Sequence, residues 1–189
     1  MPARLVVLAS GSGSTLQAVV DAASEPEFGA RVVAAGTDVR GCAAMTHADV
    51  AGIPTFAVEA ADFADRAAWN AALGGAVACY APDLVVLAGF MRLLGAELVE
   101  RFRVVNTHPA LLPAFPGAHA IRDALAAGAS STGVTVHWVD HGVDTGAVIV
   151  QESVPIEPGD DETSLRSRIQ AVEKPLYVNA LRQLCREFR

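Results

Sequence analysis

Asn106 and His108 stand two residues apart in the run Val104-Val105-Asn106-Thr107-His108-Pro109, which begins as an apolar strand and ends against a proline. Side chains at i and i+2 of a strand point to the same face, so an amide and an imidazole emerge together near the strand's end. Pro109 has no backbone N–H and pushes His108 towards an extended conformation, so regular pairing is expected to stop there. An amide can donate to a developing oxyanion, and an imidazole can polarise a carbonyl or shuttle a proton. A third group, Asp144, lies in the glycine-bounded turn Asp140-His141-Gly142-Val143-Asp144-Thr145-Gly146. Aspartate is common in turns because its side chain bonds its own backbone. It joins the chemistry only if the chain brings it to His108. Amide, imidazole and carboxylate together suit acyl transfer. Without a Ser or Cys paired to a base in any obvious motif, direct attack by a substrate nucleophile is the expected route rather than an acyl-enzyme.

A second constellation is Ser10-Gly11-Ser12-Gly13-Ser14-Thr15, between an apolar strand and a helical pattern. Free backbone N–H groups at a helix start suit a phosphate, and glycines permit close approach. The turn lacks the lysine of a P-loop, which argues against nucleoside triphosphate hydrolysis. Leu16 occupies the place of the third glycine of a dinucleotide fingerprint, although Asp38 sits just after the second strand, where a ribose-binding acid would be.

The remaining histidines carry less chemistry. His47 is expected to be solvated in a polar helix, His119 follows the Pro116-Gly117 turn, and His141 is a turn residue. Thr135 and His137 share one side of an alternating strand. No HxH or HExxH spacing occurs, so no metal is expected. Cys42, Cys79 and Cys185 are far apart and have no ligand spacing, and are expected to be buried thiols in a reducing cytosol.

The elements that must position these groups follow in order. With 189 residues the expectation is a single domain over 1–189, large enough for a real core. The hydrophobic fraction is 52%, yet no apolar run reaches the ~18 residues of a membrane span, and the start lacks a signal peptide's apolar region. A net charge of −7 with no basic run argues against nucleic acid as the main partner. Strands are expected at Arg4–Ala9, Arg31–Thr37, Thr55–Val58, Leu84–Ala88 and Val104–His108, alternating with helices over Thr15–Ala23, Cys42–Ala51, Asp62 to about Tyr80, and Gly95–Phe102. Ser14 or Thr15 is the expected cap of the first helix, and Asp62 that of the third. Strands alternating with helices make an α/β fold with a doubly wound, mostly parallel sheet, whose ligands sit beyond the carboxyl ends of the strands. After a short helix at Ala120–Ala127, Thr132–Val139 and Ala147–Val154 read as an antiparallel hairpin. Asp161–Cys185 closes the chain as one long helix that Pro175 should kink or interrupt.

With those motifs in hand, the chain resembles the folate-dependent formyltransferases, and among them the branch that formylates glycinamide ribonucleotide. The resemblance runs from Arg4 to about Arg186. It rests on Ser10-Gly11-Ser12-Gly13-Ser14, Tyr80-Ala81-Pro82-Asp83 with Leu87-Ala88-Gly89-Phe90-Met91-Arg92, Asn106-Thr107-His108-Pro109 with Leu111-Leu112-Pro113, and Asp144-Thr145-Gly146, in that order. It implies a Rossmann-like fold and transfer of a formyl group from 10-formyl-tetrahydrofolate, as co-substrate, to the amine of glycinamide ribonucleotide in purine biosynthesis. It also implies Asn106, His108 and Asp144 as the catalytic set. Gly13, Ser14, Thr15 and Glu173 would bind the acceptor. Arg66, Met91, Arg92, Leu93, Leu94, Asn106, Asp140 and Asp144 would bind the folate, with His119, Thr135 and His137 behind them. Thr15 stands where the family usually carries Asn, and Ala114 where many members carry a basic residue. The implied partners are small molecules, without nucleic acid or membrane, for a cytoplasmic monomer or homodimer. The alternatives are a formyl-tetrahydrofolate deformylase, which uses water as acceptor, and a nucleotide-binding protein without catalysis. A methionyl-tRNA formyltransferase would need a further RNA-binding domain, for which 189 residues leave no room.

Overall fold

The computed structural model describes residues 1–188. The strands are β1 (Ala3–Leu8), β2 (Ala30–Thr37), β3 (Thr55–Ala57), β4 (Leu84–Leu87), β5 (Val104–His108), β6 (Ser131–Trp138) and β7 (Val148–Pro155). The helices are α1 (Ser14–Ala23), α2 (Ala43–Val50), α3 (Arg66–Ala78), α4 (Ala96–Arg101), α5 (Ala120–Ala126) and α6 (Glu162–Cys185). The sheet order is β3-β2-β1-β4-β5-β6-β7. Pairs β1–β2, β1–β4 and β2–β3 are parallel, and β6–β7 is antiparallel. The mixed α/β sheet expected from the alternating pattern is therefore present, with its hairpin and its long last helix.

The chain forms two compact units. The first comprises Met1–Val105 and the segment from Leu181 onward, and the second Asn106–Ala180. In the first, Leu5, Val6, Val7 and Leu8 of β1 and Leu84, Val85 and Val86 of β4 have no exposed surface. That explains why both strands read as unbroken apolar runs: a parallel strand covered on both faces has no polar side. In the second, Val134, Val154, Ile121, Leu165 and Ile169 form one apolar cluster beneath the hairpin. Thr132 and Thr135 are buried as well, so the alternation of β6 separates apolar from polar contacts rather than core from solvent.

Three local expectations are corrected. The N-cap of α1 is Gly13, at φ 77° and ψ 14°, and neither Ser14 nor Thr15, both of which lie inside the helix. A Cβ there would come within 2.4 Å of Ala44 Cα, so packing against α2 selects glycine over a hydroxyl cap. Asp62 ends a 3₁₀ turn, and the cap of α3 is Asp65, whose carboxylate accepts from Ala68 N at 2.8 Å. Pro175 does not interrupt α6, which is one helix of 24 residues. Proline removes one donor there, while buried Leu165 and Ile169 before it and Tyr177 after it anchor the helix on both sides of the missing bond.

The hairpin register, open in the sequence, pairs Ser131 with Pro155 and continues to Val136 with Val150. It then shifts, so that His137 faces Val148 and Ile149 is the extra residue. Such a bulge bends a strand and re-aims its last side chains. Here the first residue beyond it is His137.

Asp65→Ala should cost about 1 kcal/mol in a urea unfolding series, the usual loss of an N-cap. Asp62→Ala, which removes only an exposed ion pair with Arg40, should cost less than about 0.5 kcal/mol.

Candidate active site

Within the second unit the chain brings Asn106, His108 and Asp144 together with His137. His108, at the end of β5, is 4% exposed. Its Nε2 donates to Phe115 O at 2.8 Å, and its Nδ1 lies 3.3 Å from Asp144 Oδ2. Oxygen acceptors thus face both ring nitrogens, an arrangement that a ring carrying a proton on each nitrogen satisfies. The same Asp144 oxygen accepts from Gly117 N at 2.8 Å, and its other oxygen stands 3.6 Å from His137 Nε2.

Phe115 and Asp144, the two residues whose oxygens face His108, are both left-handed, at φ 53° and 55°. That conformation costs an L-residue roughly 1–2 kcal/mol. Strain of this kind clusters where the fold fixes groups for chemistry.

His137 Nδ1 donates to Trp138 O at 2.9 Å, so Nε2 is left as an acceptor for the Asn106 amide, whose Nδ2 lies 3.3 Å away. Burial holds the His137 pKa below its ordinary value, against the pull of the Trp138 carbonyl and Asp144. A neutral His137 therefore selects the amide orientation of Asn106 and leaves its second N–H free to donate elsewhere. Thr135 has a different task. Its hydroxyl donates to Ala110 O at 2.7 Å and accepts from Leu112 N at 3.1 Å and from Gln151 Nε2 at 2.8 Å, pinning the loop after His108.

Asp140 accepts from Gly142 N and Thr145 Oγ1 at 3.0 and 2.6 Å. These bonds, the Thr145 one first, hold its carboxyl below the usual range. It shapes the turn that carries Asp144. His119 is exposed at the start of α5. Glu173 is half-buried on α6 beside the Thr107 hydroxyl, and burial raises its pKa more than that neighbour lowers it. Thr107 Oγ1 is itself buried without a hydrogen bond of good geometry.

In the first unit, Gly13, Ser14 and Thr15 form the start of α1. His47, expected to be solvated, is instead half-buried against this turn and donates from Nε2 to Ser12 O at 3.2 Å. Met91 and Leu93 are exposed, at 75% and 51%, as apolar side chains that a ligand can cover. Arg66 Nη2 donates to Leu93 O at 3.2 Å. Asp38 is 6% exposed, and both its oxygens are committed, to Ser10 and to Arg92. The acid that stands where a dinucleotide site would place its ribose-binding group is thus buried and bonded within the chain. Of the three cysteines expected to be buried, Cys185 is buried, Cys42 is half-buried and Cys79, just past the end of α3, is exposed. Among the described residues there is no group of three His, Cys, Asp or Glu fit to hold a metal ion, and no helix is long and apolar enough to cross a membrane.

A profile of formyl transferases matches residues 3–181. The chain belongs to the formyl transferase family. A phosphoribosylglycinamide formyltransferase of Mycobacterium tuberculosis is 53% identical over 185 residues, which span 97% of this chain and 85% of that protein. The crystal structure of glycinamide ribonucleotide transformylase 1 from Symbiobacterium toebii has a TM-score of 0.96 at 40% identity, covering 98% of this chain and 89% of that one. Its counterpart from Geobacillus kaustophilus has a TM-score of 0.93 at 43% identity, covering 98% and 100%.

Groups in this formyltransferase that residue types did not suggest are the Phe115 carbonyl, the Gly117 N–H and the Gln151 amide. The Pro113-Ala114-Phe115-Pro116-Gly117 run marks a stiff loop, but a backbone group's aim is set by φ and ψ and leaves no residue-type signal.

Glu173 gives a pH test. Its folded pKa is raised, so the unfolded chain releases this proton first, and native stability falls as pH rises from about 4.5, the unfolded value, through the folded pKa. Glu173→Gln should therefore raise Tm at pH 7, with the gain vanishing below about pH 4.5. A melting series from pH 4 to pH 8 would read both.

Proposed function

We propose that this chain transfers the formyl group of 10-formyl-tetrahydrofolate to the amine of glycinamide ribonucleotide in purine biosynthesis, with Asn106, His108 and Asp144 as the catalytic set. The observation that carries the reading is the buried pairing of His108 with Asp144 beside an oriented Asn106, in a family whose name states the group transferred. The family match runs through both compact units, which supports reading residues 1–189 as a single catalytic domain.

The acceptor amine attacks the formyl carbon, a C–N bond forms, and the carbonyl oxygen gains negative charge. Asn106 donates its second amide N–H to that oxygen. His108, carrying a proton on each nitrogen between Asp144 and Phe115 O, stabilises the charge electrostatically, while a direct donor such as Asn106 is worth on the order of 10²–10³ in rate. Asp144 takes the proton from the attacking nitrogen, directly or through water, and it passes to the folate nitrogen as the second C–N bond breaks. The products are tetrahydrofolate and the formylated amine.

In this reading Gly13, Ser14 and Thr15 hold the acceptor's ribose phosphate through N–H groups at the start of α1, and Glu173 meets its amine. Arg66, Met91, Arg92, Leu93 and Leu94 bind the folate, together with Asn106, Asp140 and Asp144. Asp140 acts by holding its turn, Thr135 by holding the loop after His108, and His137 by holding Asn106. The substrates are soluble metabolites, in keeping with a cytoplasmic enzyme.

Folate absorbance with 10-formyl-tetrahydrofolate should show tetrahydrofolate release only when glycinamide ribonucleotide is added. Release without the amine would indicate a deformylase. Asp144→Asn and His108→Ala should each lower kcat by at least about 10²-fold with native melting curves, and wild-type turnover in Asp144→Asn would remove Asp144 from the mechanism.

A further inference from the structure

Three neighbouring strands of the first unit, β2, β1 and β4, end close together, and one buried carboxylate joins the loops that follow them. Asp38, just beyond β2, accepts from Ser10 Oγ at 2.5 Å on one oxygen and from Arg92 Nε at 2.9 Å on the other. Ser10, just beyond β1, uses its hydroxyl twice, since the same oxygen accepts from Met91 N at 2.8 Å. Its own N–H donates to Gly89 O at 3.1 Å. The Asp38 side chain is 3% exposed, whereas Arg92 is half exposed, so the carboxylate is the buried member of the pair and the guanidinium reaches it from the solvent side. Met91 and Leu93, on either side of Arg92, remain exposed. Buried ion pairs seldom add net stability, because desolvation offsets the attraction, but breaking one leaves a charge in a poor environment.

We propose that Asp38 is a positioning residue that fixes, through Ser10 and Arg92, the relative placement of the glycine turn and the Met91–Leu94 loop. The inference rests on the functional reading above, in which the turn holds the acceptor's phosphate and the loop holds the folate. Asp38 touches neither substrate. It makes the two binding segments one rigid body, so that each substrate meets a preformed site and does not spend affinity on ordering it. Arg92 accordingly meets the folate with its guanidinium already held by Asp38.

The consequence is specific. A residue that only stabilises the fold lowers the amount of active protein and leaves both KM values alone. Loss of uniform binding raises KM with kcat unchanged. Asp38→Asn keeps the size of the side chain but removes the charge that pairs with Arg92 and turns an amide N–H towards Ser10 Oγ, which can then no longer donate there, and Ser10→Ala cuts the bridge from Asp38 to Met91 without a change in charge. Steady-state kinetics of the purified full chain should show KM raised roughly tenfold for both formyl-folate and glycinamide ribonucleotide in Asp38→Asn, with kcat within about threefold. Ser10→Ala should shift both KM values in the same direction. Arg92→Gln combined with Asp38→Asn should be no worse than the more affected single variant, because both cut the same link. Unchanged KM values in Asp38→Asn, a rise for only one substrate, or additive losses in the double variant would overturn the proposal. Absence of turnover in the wild-type chain would overturn the functional reading itself, and this inference with it.

Discussion

His137 has two ring nitrogens and almost no solvent, and the way they are satisfied orders the rest of the catalytic cluster. Burial keeps the ring neutral, so one nitrogen donates and the other accepts. The carbonyl of Trp138 takes the N–H. What remains is a single acceptor, and Asn106 turns its amide to meet it. An asparagine side chain is nearly symmetric in shape, so only such a partner decides which end is the donor. The reactive face of Asn106 is thus set by a residue that lies 31 positions later in the chain.

The same economy governs His108. Its acceptors come from two left-handed residues, Phe115 and Asp144, one offering a carbonyl and the other a carboxylate. Neither conformation is favoured locally. Each is held because the groups it aims have partners: Phe115 O has the imidazole, and Asp144 has the Gly117 N–H as well. A carboxylate so tied cannot swing away from the ring, and the imidazole cannot flip without losing both bonds. Preorganisation of this sort is how a site stabilises developing charge without reorganising at the moment of reaction.

Around these groups the core is built largely of Ala, Val and Leu, and several of the buried polar groups bond to one another. Thr135 with Gln151, and Ser10 with Asp38 and Arg92, are two cases in separate units. In each, one hydroxyl both donates and accepts and so ties separate segments of chain together. A hydroxyl is suited to that because it offers a donor and two lone pairs in the smallest volume.

Sequence by itself determined the alternation of strands and helices, since short apolar runs bounded by turn residues alternate with segments of helical period, and it placed β5 at the residues where the structure has it. It also singled out Asn106, His108 and Asp144 by residue type and family pattern, and noticed Asp38 without finding its partners. Local caps were less legible. The choice of Gly13 over Ser14 depends on the approach of Ala44, a residue far along the chain, and α6 runs through Pro175 because buried side chains on both sides of it outweigh one lost donor. Only the tertiary structure decided that Asp144 reaches His108, that Asp38 faces Ser10 and Arg92 rather than a ligand, and that Phe115 and Gly117 serve through their backbones. Those are contacts between residues far apart in sequence, or directions of main-chain groups. Neither leaves a trace in composition or spacing, because both are fixed by dihedral angles and packing that the whole chain sets together.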